Sequence, residues 1–131
     1  MIEVLNKKKK LIGYIEGKKF FNKNKKLMGY LEGNLVKNKN GRILLRLDSH
    51  DNIFFGKDQV GFILNSTIWF KEEPIFEFSR QKREVRSKDG KDVLILNGNH
   101  CQIEDIDLFG IAIIFLENKW WERVSQLEIQ L

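Results

Sequence analysis

Leu11-Ile12-Gly13-Tyr14-Ile15-Glu16-Gly17 is answered sixteen residues later by Leu27-Met28-Gly29-Tyr30-Leu31-Glu32-Gly33. Two fainter copies keep the register, Ile43-Leu44-Leu45-Arg46-Leu47-Asp48-Ser49 and Gln59-Val60-Gly61-Phe62-Ile63-Leu64-Asn65. Positions 13, 29, 45 and 61 therefore correspond, with glycine at three and leucine at 45. A fixed period marks a chain of small units, none able to bury its apolar face alone. Each unit reads as two short strands and two turns. In the first, Leu11–Ile15 is apolar, Glu16-Gly17 interrupts it, Phe20-Phe21 resumes, and Asn22-Lys23-Asn24-Lys25 ends it. The second ends at Asn38-Lys39-Asn40-Gly41, and Asn-Gly between apolar runs is a strong hairpin signal. Strands of about five residues joined by tight turns leave no room for a helix in residues 11–70.

Glycine inside a strand offers nothing to pack, so its recurrence points to a shared geometric need. Units crowded around a common axis supply one; bulges in a plain meander supply another. Ile15, Leu31, Leu47 and Ile63 fall two residues beyond the four positions and share their face, which predicts one common core. The expected fold is mostly β: a radial or barrel-like arrangement of 16-residue two-stranded repeats, with additional strands and a short C-terminal helix.

The glycine-tyrosine phrase, the aromatic pair and the Asn-rich turn together resemble the small bacterial four-fold β-flower repeat proteins, over about residues 11–70. That resemblance implies short two-stranded units arranged radially, and it implies no activity and no site residue. A looser similarity to MORN repeats lacks their regular tryptophan and their period.

Residues 71–131 lose the clean period. They read as a β-rich portion packed on the four units and lead-in of residues 1–70, as one domain. Lys71-Glu72-Glu73-Pro74 marks a boundary or sharp turn, and Asp89-Gly90 and Asn97-Gly98 mark two more. Val93–Leu96 reads as a strand and Ile111–Leu116 as a fully buried one. Gly98 and Gly110 repeat the spacing of Gly17 and Gly29, which suggests a degenerate extra unit. The tail reads either as a helix with Trp120, Val124, Leu127 and Leu131 on one side, or as a closing strand over 124–131.

The chain has 131 residues, 42% apolar and 31% charged, the balance of a soluble globular domain. No run approaches the roughly 20 apolar residues that span a bilayer. No apolar segment follows Lys7–Lys10, so neither a signal peptide nor a membrane partner is expected, and the lone Cys101 excludes an internal disulfide. The cytoplasm of a bacterial or phage-infected cell is the expected setting. Residues 1–70 hold 14 Lys/Arg against 6 Asp/Glu, and residues 71–131 hold 9 against 12. A basic half attracts nucleic acid or an acidic partner. Yet 17 of the 23 basic residues are lysine, beside 11 asparagines and 15 isoleucines, a mixture that AT-rich coding produces. Solvated, edge-protecting lysine is the commoner meaning of such a pattern.

Chemistry is sparse. His100 and Cys101 are adjacent, so on a strand they face opposite ways and cannot share one metal. His50 lies beside Asp48, but such turns are rich in these residues for backbone bonding. Glu16 and Glu32 are repeat-equivalent turn residues, and Glu104-Asp105-Ile106-Asp107 lacks calcium-loop spacing. The sequence therefore implies no cofactor, no metal and no enzymatic activity.

Two features favour binding. Arg80, Lys82, Arg86 and Lys88, with Arg83 among them and Glu84 between, would line one face of an extended strand. Trp120-Trp121 cannot easily both enter one core, so one is expected at an interface. The leading expectation is a non-enzymatic module that meets an acidic protein partner as an accessory or inhibitory factor. The alternative is a single-stranded nucleic-acid binder that stacks bases on Tyr14, Phe20, Phe21 and Tyr30 among lysines.

Overall fold

The repeat phrase folds into hairpins that close into a single ring. The structure, a computed structural model, describes residues 1–98 and 103–129, with side chains as far as Val124. His100, Cys101 and Leu131, and the side chain of Leu127, lie outside the described residues. The strands are β1 (Ile2–Leu5), β2 (Leu11–Glu16), β3 (Lys19–Asn22), β4 (Leu27–Glu32), β5 (Leu35–Asn38) and β6 (Ile43–Leu47). They continue as β7 (Asn52–Phe55), β8 (Asp58–Leu64), β9 (Thr67–Phe70), β10 (Glu73–Ser79), β11 (Glu84–Ser87) and β12 (Val93–Asn97). Each pairs antiparallel with the next, and β12 returns to β1 through Glu3↔Asn97, Val4↔Leu96 and Leu5↔Ile95, closing a twelve-stranded barrel. Closure leaves no free sheet edge. Residues 1–70 supply nine strands of this one sheet and residues 71–131 the other three.

What repeats along the wall is a bulge. Val4 and Leu5 pair with Gly13 and Leu11, so Ile12 is an extra residue in β2. The same slip leaves out Met28 in β4, Leu44 in β6 and Val60 in β8. The extra residue and the one after it both turn toward the core, and Val60 and Gly61 are both buried. The second residue of the pair then lies against the carbonyl of the next strand. A Cβ on Gly29 would stand 2.5 Å from the Lys37 carbonyl oxygen, and the Phe21 and Trp69 carbonyls crowd Gly13 and Gly61 in the same way. Ring closure and bulges, offered by the sequence as alternatives, occur together. Leu45 escapes the rule because its hairpin is displaced by one residue. Ile15, Leu31 and Ile63 pair with Phe20, Val36 and Ile68, whereas Leu47 pairs with Ile53, one step beyond the strict repeat.

The axis of the ring is filled by a helix. Helix α1 (Asp105–Phe115) is apolar on every side after its first turn, and Leu108 through Ile114 are all buried. A helix of that kind is stable only inside a core. Its eleven residues span about 16 Å, close to the length of a five-residue strand. Ile114 and Phe115 lie where Cβ atoms on Gly29 and Gly13 would be, and Gly110 lets Leu31 and Phe20 approach. Ile15, Leu31 and Leu47 are buried and Ile63 packs against the same core, as the shared face predicts.

Ile111–Leu116 is therefore not a strand. An apolar run of this length reads equally as a buried strand or a buried helix, and the barrel had already used its strands. Gly110 belongs to that helix and to no extra repeat unit. The tail forms a second helix, α2 (Glu117–Ile129), with Trp120 and Val124 buried. Pro74 lies in β10 beside a further bulge, a position where the lost N–H is tolerated.

In an antiparallel meander alternate loops share one end. The loops at 17–18, 33–34, 48–51, 65–66 and 80–83 form the rim where α1 enters. Those at 6–10, 23–26, 39–42, 56–57, 71–72 and 88–92 form the rim where it leaves and α2 begins.

Candidate functional site

The expected basic row does not form. Residues 80–83 are a turn on the entry rim, and β11 begins only at Glu84. Arg80 donates through Nε to the Ile103 carbonyl (3.0 Å) and lies 3.6 Å from Asp105. Lys82 donates its backbone N–H to the Ser79 hydroxyl, and Arg83 has a positive φ of 55°. The Arg83 Nε and one terminal nitrogen are buried without a partner among the described residues. Arg86 is paired with Glu84 and Glu77, and Lys88 reaches Glu77 at 3.3 Å. Glu77 on the neighbouring strand and Glu84 on β11 itself thus offset Arg86 and Lys88.

The two tryptophans divide as their adjacency requires. Trp120 is fully buried, donates Nε1–H to the Ile113 carbonyl (2.9 Å) and stacks on Phe70. Trp121 is 39% exposed and meets Phe55 edge-on at 5.9 Å. Both stand at the exit rim, across the barrel from Arg80, Lys82 and Arg83.

The entry rim is occupied by structural contacts. Glu104 and Asp107 cap the start of α1 reciprocally, and Lys18 binds Asp107 at 2.8 Å. Asp48 accepts the backbone N–H groups of His50 (2.8 Å) and Asn52 (2.9 Å), and these bonds hold its carboxyl below the usual range. Glu32 is paired with Lys37 at 2.9 Å, and that hydrogen bond raises the lysine above its ordinary value. Among the described residues no three His, Cys, Asp or Glu side chains converge on one point.

The strongest constellation lies on the exit rim. Loops 6–10, 22–26 and 38–42 are copies of one turn. Asn6 Oδ1 accepts the N–H groups of Lys8 (2.9 Å) and Lys10 (3.0 Å). Asn22 does the same for Asn24 and Lys26, and Asn38 for Asn40 and Arg42. The fourth residue of each is left-handed: Lys9 and Lys25 at φ 63°, Gly41 at 83°. Asparagine fixes such turns through its own amide and leaves the neighbouring side chains free.

Those side chains are Lys7, Lys8, Lys9, Lys10, Lys23, Lys25, Lys26, Lys39 and Arg42, and no acidic residue stands among them. All nine are exposed, and none forms an ion pair among the described residues. Loops two strands apart stand roughly 10 Å from one another. Three such loops form a cationic arc on one side of the rim. The sequence carried this signal in the lysine blocks at 7–10, 23–26 and 39–42; joining them needed the meander, which places alternate turns at one end. Below the arc, Tyr14 and Tyr30 face outward, with Lys25 5.7 Å over the first ring and Lys37 5.9 Å over the second.

Comparison with known protein families, curated proteins and solved structures finds no match. No helix is long and apolar enough to cross a membrane among the described residues.

Proposed function

We propose that this protein is a non-enzymatic binding module that holds an acidic protein partner on the lysine arc, as an accessory or inhibitory factor. The observation that supports it is the set of nine exposed cations on three turns of like backbone, none in an ion pair among the described residues, with Asp92 in the cleft beside Lys7, Lys8 and Lys10 engaged by Lys119. A rigid scaffold that repeats an uncompensated charge raises the local concentration of an oppositely charged partner and speeds its arrival. The side chains are lysine at all but one position, which suits carboxylates spread over a surface. Arginine is the residue for bidentate recognition. Kinship with the four-fold β-flowers, which the repeat phrase suggests, assigns no activity and leaves this reading unchanged.

The test is a titration with poly-glutamate at low and moderate salt. The charge-reversed variant Lys10→Glu/Lys25→Glu/Lys39→Glu should bind at least about tenfold more weakly and show a shallower salt dependence. Equal binding by both proteins would remove the arc as the site. Recovery of one stoichiometric, acidic partner from host lysate on the wild type, lost on the variant, is the positive result.

Single-stranded nucleic acid is the second reading, favoured by the outward Tyr14 and Tyr30 rings beneath their lysines. Phe20, placed in that set by sequence, is buried inside the barrel and is unavailable for stacking. An oligothymidylate that outcompetes poly-glutamate and quenches tyrosine emission would favour this second reading.

A further inference from the structure

Helix α2 begins at the exit rim. It is tied down on one side by Lys119 to Asp89 and Asp92 (3.3 Å each) and by Arg123 to Glu73 (3.2 Å). Where α1 passes into α2, Ile114, Phe115, Glu117, Asn118 and Trp121 line an open cleft of about 440 Å³. Phe115 is also a wall of an adjoining cleft of about 520 Å³ that includes Lys7, Lys8, Lys10 and Lys91, with Asp92 as its one carboxylate. A third hollow, about 420 Å³, continues past Lys10 to Lys23 and Asn24. An apolar floor bearing an exposed tryptophan thus runs directly into the lysine arc. Among the described residues Trp121 is one of four exposed large apolar side chains, and Phe115 links its cleft to the one that holds Lys7, Lys8 and Lys10.

Building on the proposed acidic partner, we infer that this floor takes an acidic peptide segment with an apolar anchor. The anchor lies between Phe115 and Trp121 while flanking carboxylates meet Lys7, Lys8 and Lys10. Two properties of the surface select that chemistry. Lys8 and Lys10 form no ion pair among the described residues and Lys7 reaches only the Gly90 carbonyl (3.4 Å), so these cations attract negative charge, and the cleft beside them offers aromatic and aliphatic contact, the combination from which interface hot spots are built. Glu117 lines the cleft beside Phe115 and Trp121, so the part of the segment lodged there is uncharged and its carboxylates stay at the lysine end.

The probe is a pair of synthetic peptides equal in length and net charge, one oligo-glutamate and one with leucine and phenylalanine interspersed, titrated calorimetrically into the full chain. The anchored peptide should bind at least tenfold tighter and with a more negative heat-capacity change, the mark of apolar burial. Trp121→Ala should abolish the advantage and leave oligo-glutamate affinity unchanged. The heat-capacity comparison on the wild type answers the same question if that variant unfolds. Equal affinities and equal heat-capacity changes overturn the anchored segment and leave the lysine arc standing. If neither peptide binds, the arc itself fails, and this inference with it.

Discussion

The inner wall of the barrel and its exit rim share one sixteen-residue period, yet different things recur in each. On the wall the repeat is steric. An extra residue turns inward, the next is glycine in three copies of four because a carbonyl leaves its side chain no room, and the residue two beyond that glycine joins the core. On the rim the repeat is a hydrogen-bonding device. An asparagine locks five residues of backbone and places no demand on the side chains between. The wall therefore tolerates little variation in size, and the rim tolerates almost any polar side chain. That freedom is what makes three turns whose only charged side chains are lysine and arginine informative.

The comparison breaks first at Gly61. In Gly61→Val a Cβ would meet the Trp69 carbonyl, which is backbone and cannot swing away. The cost should exceed about 4 kcal/mol, enough to abolish cooperative unfolding in urea. A stable Gly61→Val protein would falsify the carbonyl-contact account of the glycines. Next, Leu31→Ala should cost about 2–5 kcal/mol. The same leucine sits 2.8 Å from a Cβ built on Gly110, so Leu31→Ala/Gly110→Ala should recover part of that loss. Additive single and double mutants would show that α1 and β4 are not in direct contact.

The rim should respond more weakly. Asn22→Ala removes the side-chain acceptor of the Asn24 and Lys26 N–H groups in an exposed loop and should cost about 1 kcal/mol in denaturant unfolding. Asp89 is held well below the usual carboxylate range by the Ser87 hydroxyl, then by the Lys91 N–H and by Lys119. Its contribution is present above an ordinary carboxylate pKa of about 3.9 and is lost as pH falls through the depressed native value. Asp89→Asn should therefore melt below wild type at pH 7, with the gap narrowing below about pH 4. Lys23→Ala should change stability by less than about 0.5 kcal/mol, while reducing affinity for poly-glutamate. A larger loss of stability there would mean that the rim lysines are structural.

Sequence reasoning reached the wall because steric repeats are written in residue type. Gly13, Gly29 and Gly61 announce crowding, and Ile15 and Leu31 announce a common interior. It missed what fills that interior. Ile111–Leu116 carries no periodicity, since a helix surrounded on all sides has no polar face to reveal it. Leu45 looked like a broken rule because a one-residue displacement of a hairpin leaves no mark on composition. The site was less legible. Arg80–Lys88 stood out as a cluster along the chain, but Glu77, which pairs with Arg86 and Lys88, belongs to the neighbouring strand. The lysine blocks are visible along the chain, but solvation is their commoner meaning, and their adjacency depends on which turns share an end.

A helix that occupies the axis of a closed ring also sets an order of events during synthesis. All twelve strands leave the ribosome before Asp105–Phe115 does. Until that segment arrives, the inward faces of β4, β5 and β11 have nothing to pack against, and β1 cannot join β12 without sealing an empty interior. The nascent chain must therefore wait as an open sheet with two unpaired edges and an unfilled apolar face, the state most exposed to aggregation. Ring closure on this order awaits the arrival of α1, and chains cut short before Asp105 should be cleared or should aggregate even though the twelve strands are present.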